Sequence, residues 1–128
     1  MTVSDELPSA LLWLMHYLDA LLDVPVMGEV PRSRPVSFVR VSVAGGDDRT
    51  SVTGAQQLLV ESWGATILDA EALAREVDGH VHEAHGVIVD GVYCKGSRAF
   101  GLPYESPVPD SDAARYRQLV SLTFRRTE

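Results

Sequence analysis

The spacing of apolar residues changes once, decisively, between Gln56 and Gly86, and this change predicts the centre of the fold. From Gln56 to Trp63 the pattern suits a pleated strand, with Leu58 and Val60 on one face and Leu59 and Trp63 on the other. Beyond it the period lengthens. Ala70, Leu73, Ala74, Val77, Val81 and Ala84 fall at i, i+3, i+4, i+7, i+11 and i+14, one stripe of a helix. Thr66 is placed to cap that helix, Asp69 stands near the positive end of its dipole, and Gly86 marks its stop. Gly79 costs about 1 kcal/mol in a helix interior, but it lies opposite the stripe and removes no core contact. One helix with one apolar face needs a sheet to cover.

A first helix is predicted over Leu7–Asp23, with Pro8 at its first position, where the missing N–H is harmless. Leu7, Leu11, Leu14, Leu18, Leu21 and Leu22 form the main stripe, flanked by Trp13, Tyr17 and Ala20, with Leu12 further round. Ser9, His16, Asp19 and Asp23 leave only a narrow polar strip. Such a helix is covered on more than one side. In a chain this short, either the domain buries it all or another subunit supplies the second cover, and the second option places Trp13 and Tyr17 at a subunit contact.

Prolines 25, 31 and 35 punctuate the next segment and permit a short edge strand at Met27–Val30. Val36 to Ala44 alternates with a period of two. A polar loop, Gly45–Gly54, links it to Gln56–Trp63, which predicts an antiparallel hairpin with a long mobile tip. After the second helix, Val87–Val89 leads through an Asp90-Gly91 turn into a strand around Val92–Arg98. Gly101–Ala114 carries three prolines and reads as a loop unable to pair regularly. Arg115–Arg126 is the last strand. Tyr116, Val120, Leu122 and Phe124 face one way; Arg117, Ser121, Thr123 and Arg125 face the other, where Leu119 breaks the polar side. The expectation is a single α+β domain over residues 1–128, with a mostly antiparallel sheet of about four to five strands and two helices packed on it.

Composition narrows the function. The chain has 128 residues, 45% of them apolar, enough for a core without staples. A lone cysteine, Cys94, excludes an internal disulfide and a four-cysteine zinc site. The net charge is −7, and the basic residues look scattered along the sequence, so gripping nucleic acid is disfavoured. An acidic surface does suit a channel past which DNA slides. The N-terminus has no basic-then-apolar leader, and no window of about 20 residues is apolar enough to span a bilayer.

No residue pattern makes a positive case for catalysis. His80, His82 and His85 follow at i, i+2 and i+5, so at most two converge, and a solvated helix end near the negative dipole pole accounts for them. Cys94 has no local activator and reads as an inert strand residue. Asp47–Asp48 and Asp110–Asp112 lack the EF-hand pattern and suit turns. Neither a phosphate-binding glycine loop nor a nucleophile elbow occurs.

The ordered pieces of the chain resemble the tail terminator (tail completion) proteins of long-tailed phages, especially those of actinobacteria. The pieces are a first helix; Pro31-Arg32-Ser33-Arg34-Pro35-Val36-Ser37-Phe38-Val39-Arg40-Val41; Leu58-Leu59-Val60-Glu61-Ser62-Trp63-Gly64; Ala70-Glu71-Ala72-Leu73-Ala74; and, after a proline-aspartate loop, Arg115-Tyr116-Arg117-Gln118-Leu119-Val120-Ser121-Leu122. Their order covers most of the chain. Gly64 stands where alanine is common in that family, and Ser111-Asp112-Ala113-Ala114 replaces a serine-glycine turn.

The resemblance implies a non-enzymatic virion protein in the neck region of the tail, present in the host cytoplasm during assembly. It implies a hexameric ring at the head-proximal end of the tube that stops tube polymerisation and joins the head connector or stopper. DNA passes through the lumen without specific binding, and neither cofactor nor metal is required. Trp13, Tyr17, Arg32, Arg34, Arg115, Tyr116 and Arg117 are the expected subunit-contact residues, with Arg32, Arg34 or Arg117 pairing acidic groups of a neighbour. A head-closure or stopper ring is the nearest alternative. A small α+β enzyme or ligand-binding domain and a DNA-binding regulator are the others.

Overall fold

A computed structural model describes residues 8–47 and 55–125. Two helices, α1 (Ala10–Leu21) and α2 (Ile67–His82), lie on one face of a seven-stranded sheet. The strands are β1 (Val26–Met27), β2 (Phe38–Asp47), β3 (Ala55–Gly64), β4 (Ile88–Val89), β5 (Val92–Ala99), β6 (Tyr104–Glu105) and β7 (Ala114–Phe124). Their spatial order is β1-β2-β3-β7-β5-β4, with β6 also on β7. All pairs are antiparallel except β1 with β2. The α+β architecture is the expected one. The sheet has two strands beyond the five expected, β4 and β6, each only two residues long and too short for any periodicity to register.

The second helix follows its start signal and its stripe but ends at His82, capped by Glu83, before the stop expected at Gly86; Ala84 is buried just beyond it. The Thr66 side chain accepts a hydrogen bond from the Asp69 N–H at 3.1 Å, and Ala70, Leu73, Ala74, Val77 and Val81 are buried. A Cβ at Gly79 would meet nothing within 4 Å, as its place opposite the stripe requires. At Gly64 a Cβ would lie 2.8 Å from the Ala70 nitrogen. The strand therefore enters the helix at a distance that leaves no room for a side chain at this position.

α1 starts three residues later than expected. Ser9, not Pro8, sets its start, its side chain accepting from the Leu12 N–H at 3.1 Å; Leu7 lies outside the described residues. Its buried face is Ala10, Trp13, Leu14, Tyr17 and Leu18, turned from the leucine stripe expected. Trp13 and Tyr17 are 3% and 8% exposed. Trp13 stacks on Tyr17, tilts against Phe124 and donates its indole N–H to the Val92 carbonyl at 3.1 Å. The Tyr17 hydroxyl donates to the His80 carbonyl at 2.7 Å, and burial, then the Glu83 charge, raises its pKa. α1 itself packs over β1, β2, β3 and β4, and these two aromatics are buried within the chain against β5, β7 and α2, the first of the two alternatives the sequence leaves open. Leu12 and Leu21 are the large apolar side chains that α1 leaves exposed.

β2 and β3 form the expected antiparallel pair, with Phe38 opposite Trp63 and Val41 opposite Val60. β2 runs on through Gly45 to Asp47 past a register shift, so the polar loop is shorter than Gly45–Gly54; residues 48–54, including Asp48, lie outside the described residues. The edge strand is Val26–Met27 rather than Met27–Val30, and the Pro25 carbonyl accepts from the Val39 N–H. Asp90 and Gly91 both have positive φ, 51° and 78°, the geometry of a two-residue hairpin turn between β4 and β5. Within the proline-bearing loop, Tyr104 and Glu105 do pair, opposite Arg117 and Tyr116. β7 spans Ala114–Phe124 and is central, with β3 along one side and β5 and β6 along the other.

Candidate functional site

β-strand side chains alternate between faces, so register alone assembles the face that the helices leave open. The core takes Val39 and Val41 from β2, Leu58 and Val60 from β3, and Val120, Leu122 and Phe124 from β7. The residues between them meet on the other side. Phe38, Trp63 and Arg115 make one transverse row; Arg40, Glu61, Arg117 and Tyr104 make the next; Ser42, Leu59 and Leu119 make a third.

The second row is a charged centre inside a sheet. Glu61 is fully buried. Arg117 donates from Nε to Glu61 Oε2 at 3.1 Å, its Nη2 lies 3.1 Å from the same oxygen, and Arg40 Nη1 lies 3.7 Å from Oε1. The Trp63 indole N–H donates to Oε1 at 3.2 Å. Both carboxylate oxygens are therefore occupied, which a buried carboxylate requires. The first row is aromatic and cationic. Phe38 and Trp63 stack at 5.0 Å, and the guanidinium carbons of Arg34 and Arg115 lie 5.2 and 5.4 Å from the Trp63 ring centroid. Arg34 donates to Ser111 Oγ at 3.0 Å, and Arg115 to the Ser106 carbonyl at 2.9 Å, so two loops meet over the tryptophan. Burial and then the neighbouring Arg117 charge lower the Arg115 pKa.

Of the expected contact residues, the fold brings together Arg34, Arg115 and Arg117. Trp13 and Tyr17 belong to the core on the opposite face. Tyr116 points to the helix side, lining a recess of about 110 Å³ with Glu71, Arg75, Asp78, Leu102 and Pro103. Arg32 is exposed in the loop before β2. Arg40, Glu61 and Trp63 complete the cluster and are absent from the sequence-based set. A glutamate amid the apolar run Leu58–Trp63 was the one signal of them. The arginines, scattered in sequence, are grouped in space.

Elsewhere the titratable groups pair locally. His80 Nε2 lies 3.6 Å from Glu76, and His82 Nε2 lies 3.2 Å from Asp78. His16 pairs with Asp90 on the surface. The Cys94 thiol is buried, and burial pushes its pKa up to about 11. Among the described residues no three His, Cys, Asp or Glu side chains group as metal ligands would, and no helix is long and apolar enough to cross a membrane.

Known structures include a chain of this fold. A chain of the structure described as "Virion of native gene transfer agent (GTA) particle" is similar at a TM-score of 0.65 and 16% identity, over 90% of this chain and 93% of that one. No family model matches the sequence, and no curated protein does.

Proposed function

We propose that this chain is a structural protein of a phage-type particle and closes a ring, a hexamer, at the head-proximal end of a tail tube. The observation that carries this is the shared fold with a gene transfer agent virion chain over nearly the full length of both. The ordered motifs from Pro31 to Leu122 supply the finer assignment to the tail terminator type.

The physical task is closure. A head-to-tail interface makes a ring when its rotation fits and a filament otherwise. One rim of the ring meets the last tail-tube subunits and ends their polymerisation; the other receives the head connector or stopper. DNA passes through the lumen, and acidic residues lining it hold the phosphates off by like-charge repulsion. Arg34, Arg115 and Arg117 act at the subunit contact, while Trp13 and Tyr17 act indirectly by fixing α1 to the sheet.

The test is the mass of the purified protein in solution, alone and mixed with its tail-tube subunit. A species of six times 14.0 kDa in either sample is expected. A 14.0 kDa particle in both, at all concentrations, overturns the assignment.

A further inference from the structure

The two faces of this molecule carry opposite charge. On or over the open sheet face lie Arg34, Arg40, Arg98, Arg115, Arg117 and Arg125, six of the chain's 11 Lys and Arg residues. In the three rows from Phe38 to Leu119 the one carboxylate is Glu61, already shared by Arg40 and Arg117. The helix side is the reverse. On α2 and its cap, Asp69, Glu71, Glu76, Asp78 and Glu83 stand against a single arginine, Arg75, and α1 carries Asp19 and no basic residue but His16. Asp69, Glu76 and Glu83 recur every seven residues, a line along the outer side of α2. Beside that line Leu68 is 74% exposed, and Ala72 and Gly79 offer no bulk to hold a partner away.

We propose that the open sheet face of one copy docks on the outer face of α2 of the next copy. This rests on the ring proposed above and names its contact. Three observations favour a second copy over other occupants. The cationic face needs an acidic partner, and the chain presents one on its opposite side, the arrangement a head-to-tail contact requires. Arg34, Arg115 and Arg117 are held down on Trp63 and Glu61, as a flat interface needs, rather than fanned out toward a phosphate backbone. Exposed apolar side chains border both faces: Val36, Tyr93, Phe100 and Tyr104 on the sheet side, Leu68 on the helix side, matching the mixed character of protein contacts.

Charge exchange tests this. Arg34, Arg98, Glu76 and Glu83 are exposed and so open to reversal; Arg34→Glu also gives up the Ser111 bond and the Trp63 stack, and Glu76→Arg the His80 pair, so circular dichroism and a thermal melt check each fold first. Two variants are made, Arg34→Glu with Arg98→Glu, and Glu76→Arg with Glu83→Arg. Each alone is expected to weaken self-association at least about 100-fold, because like charges then face each other. Mixing the two, or combining all four substitutions in one chain, restores assembly. If the wild type assembles and neither variant changes its mass, the contact is overturned while the ring stands. If both variants dissociate and neither mixture nor combination rescues, the face has another partner and the contact is overturned. Loss of a salt-sensitive shift of double-stranded DNA by the sheet-face variant, with its mass unchanged, assigns the face to nucleic acid and overturns it likewise. A wild type that is monomeric alone and with the tube subunit overturns the ring and the contact together.

Discussion

Replacing Glu61 with glutamine removes one charge from the centre of the sheet and little else. The amide keeps the size and an oxygen for the Trp63 indole, but the Arg40 and Arg117 guanidiniums, about a third exposed, then face each other without an anion. Two Arg117 contacts at 3.1 Å become ordinary or are lost. Hydrogen bonds to charged groups contribute about 1.5–3 kcal/mol each, and breaking a buried pair from one side costs about 3–5 kcal/mol. The partial exposure of both arginines lowers this, because water screens them. The expected loss is about 2–3 kcal/mol, a fall of about 10 °C in Tm for a domain of this size. Equilibrium urea denaturation reads it as a lower midpoint at unchanged slope. The loss should persist in about 1 M salt, since the carboxylate is shielded from solvent. Replacing Arg40, Glu61 and Arg117 together by methionine should recover most of the stability, because no unpaired charge is left behind. A glutamine variant within about 0.5 kcal/mol of wild type would refute the reasoning, as that is the spread of ordinary surface substitutions.

Gly64→Ala should destabilise by about 1–3 kcal/mol in the same assay, since the new methyl meets backbone at 2.8 Å. Gly79→Ala should instead stabilise by about 0.5–1 kcal/mol, because the helix gains propensity and the methyl enters open space. Cys94 should resist a thiol reagent at about pH 8 in the folded protein and react at once in urea. Its folded pKa is raised from 9.0 to about 11, so the stability it contributes is full below pH 9 and lost as pH rises toward 11; denaturation midpoints measured across that range should fall, and a Cys94→Ala variant should lose that part of the slope.

The helices and the long strands were legible because each has a burial period of its own. Thr66 to Val81 carries both a cap and a stripe, and β2 and β3 send Val39, Val41, Leu58 and Val60 to the core face, although residues 60–64 are buried on both faces. What periodicity leaves open is how far a helix is rotated about its axis when nearly all sides are apolar. α1 turned Trp13 and Tyr17 inward because two polar atoms, the indole N–H and the phenol, found carbonyls at Val92 and His80, partners distant in sequence. The cluster on the open face was hidden for a related reason. Arg40, Glu61 and Arg117 become neighbours only once three strands align, and no local pattern contains that register. Tyr104 and Glu105 were lost among prolines, which exclude a regular strand without excluding two paired residues.

The central position of β7 bears on how the protein is made. Until residues 114–124 have left the ribosome, the β2–β3 hairpin and the β4–β5 hairpin have no strand between them, and the inner edge of each is bare. Bare edges invite pairing with other nascent chains. Translation that stalls ahead of Ala114 therefore yields fragments prone to aggregate, so the quantity of usable protein depends on finishing this strand quickly.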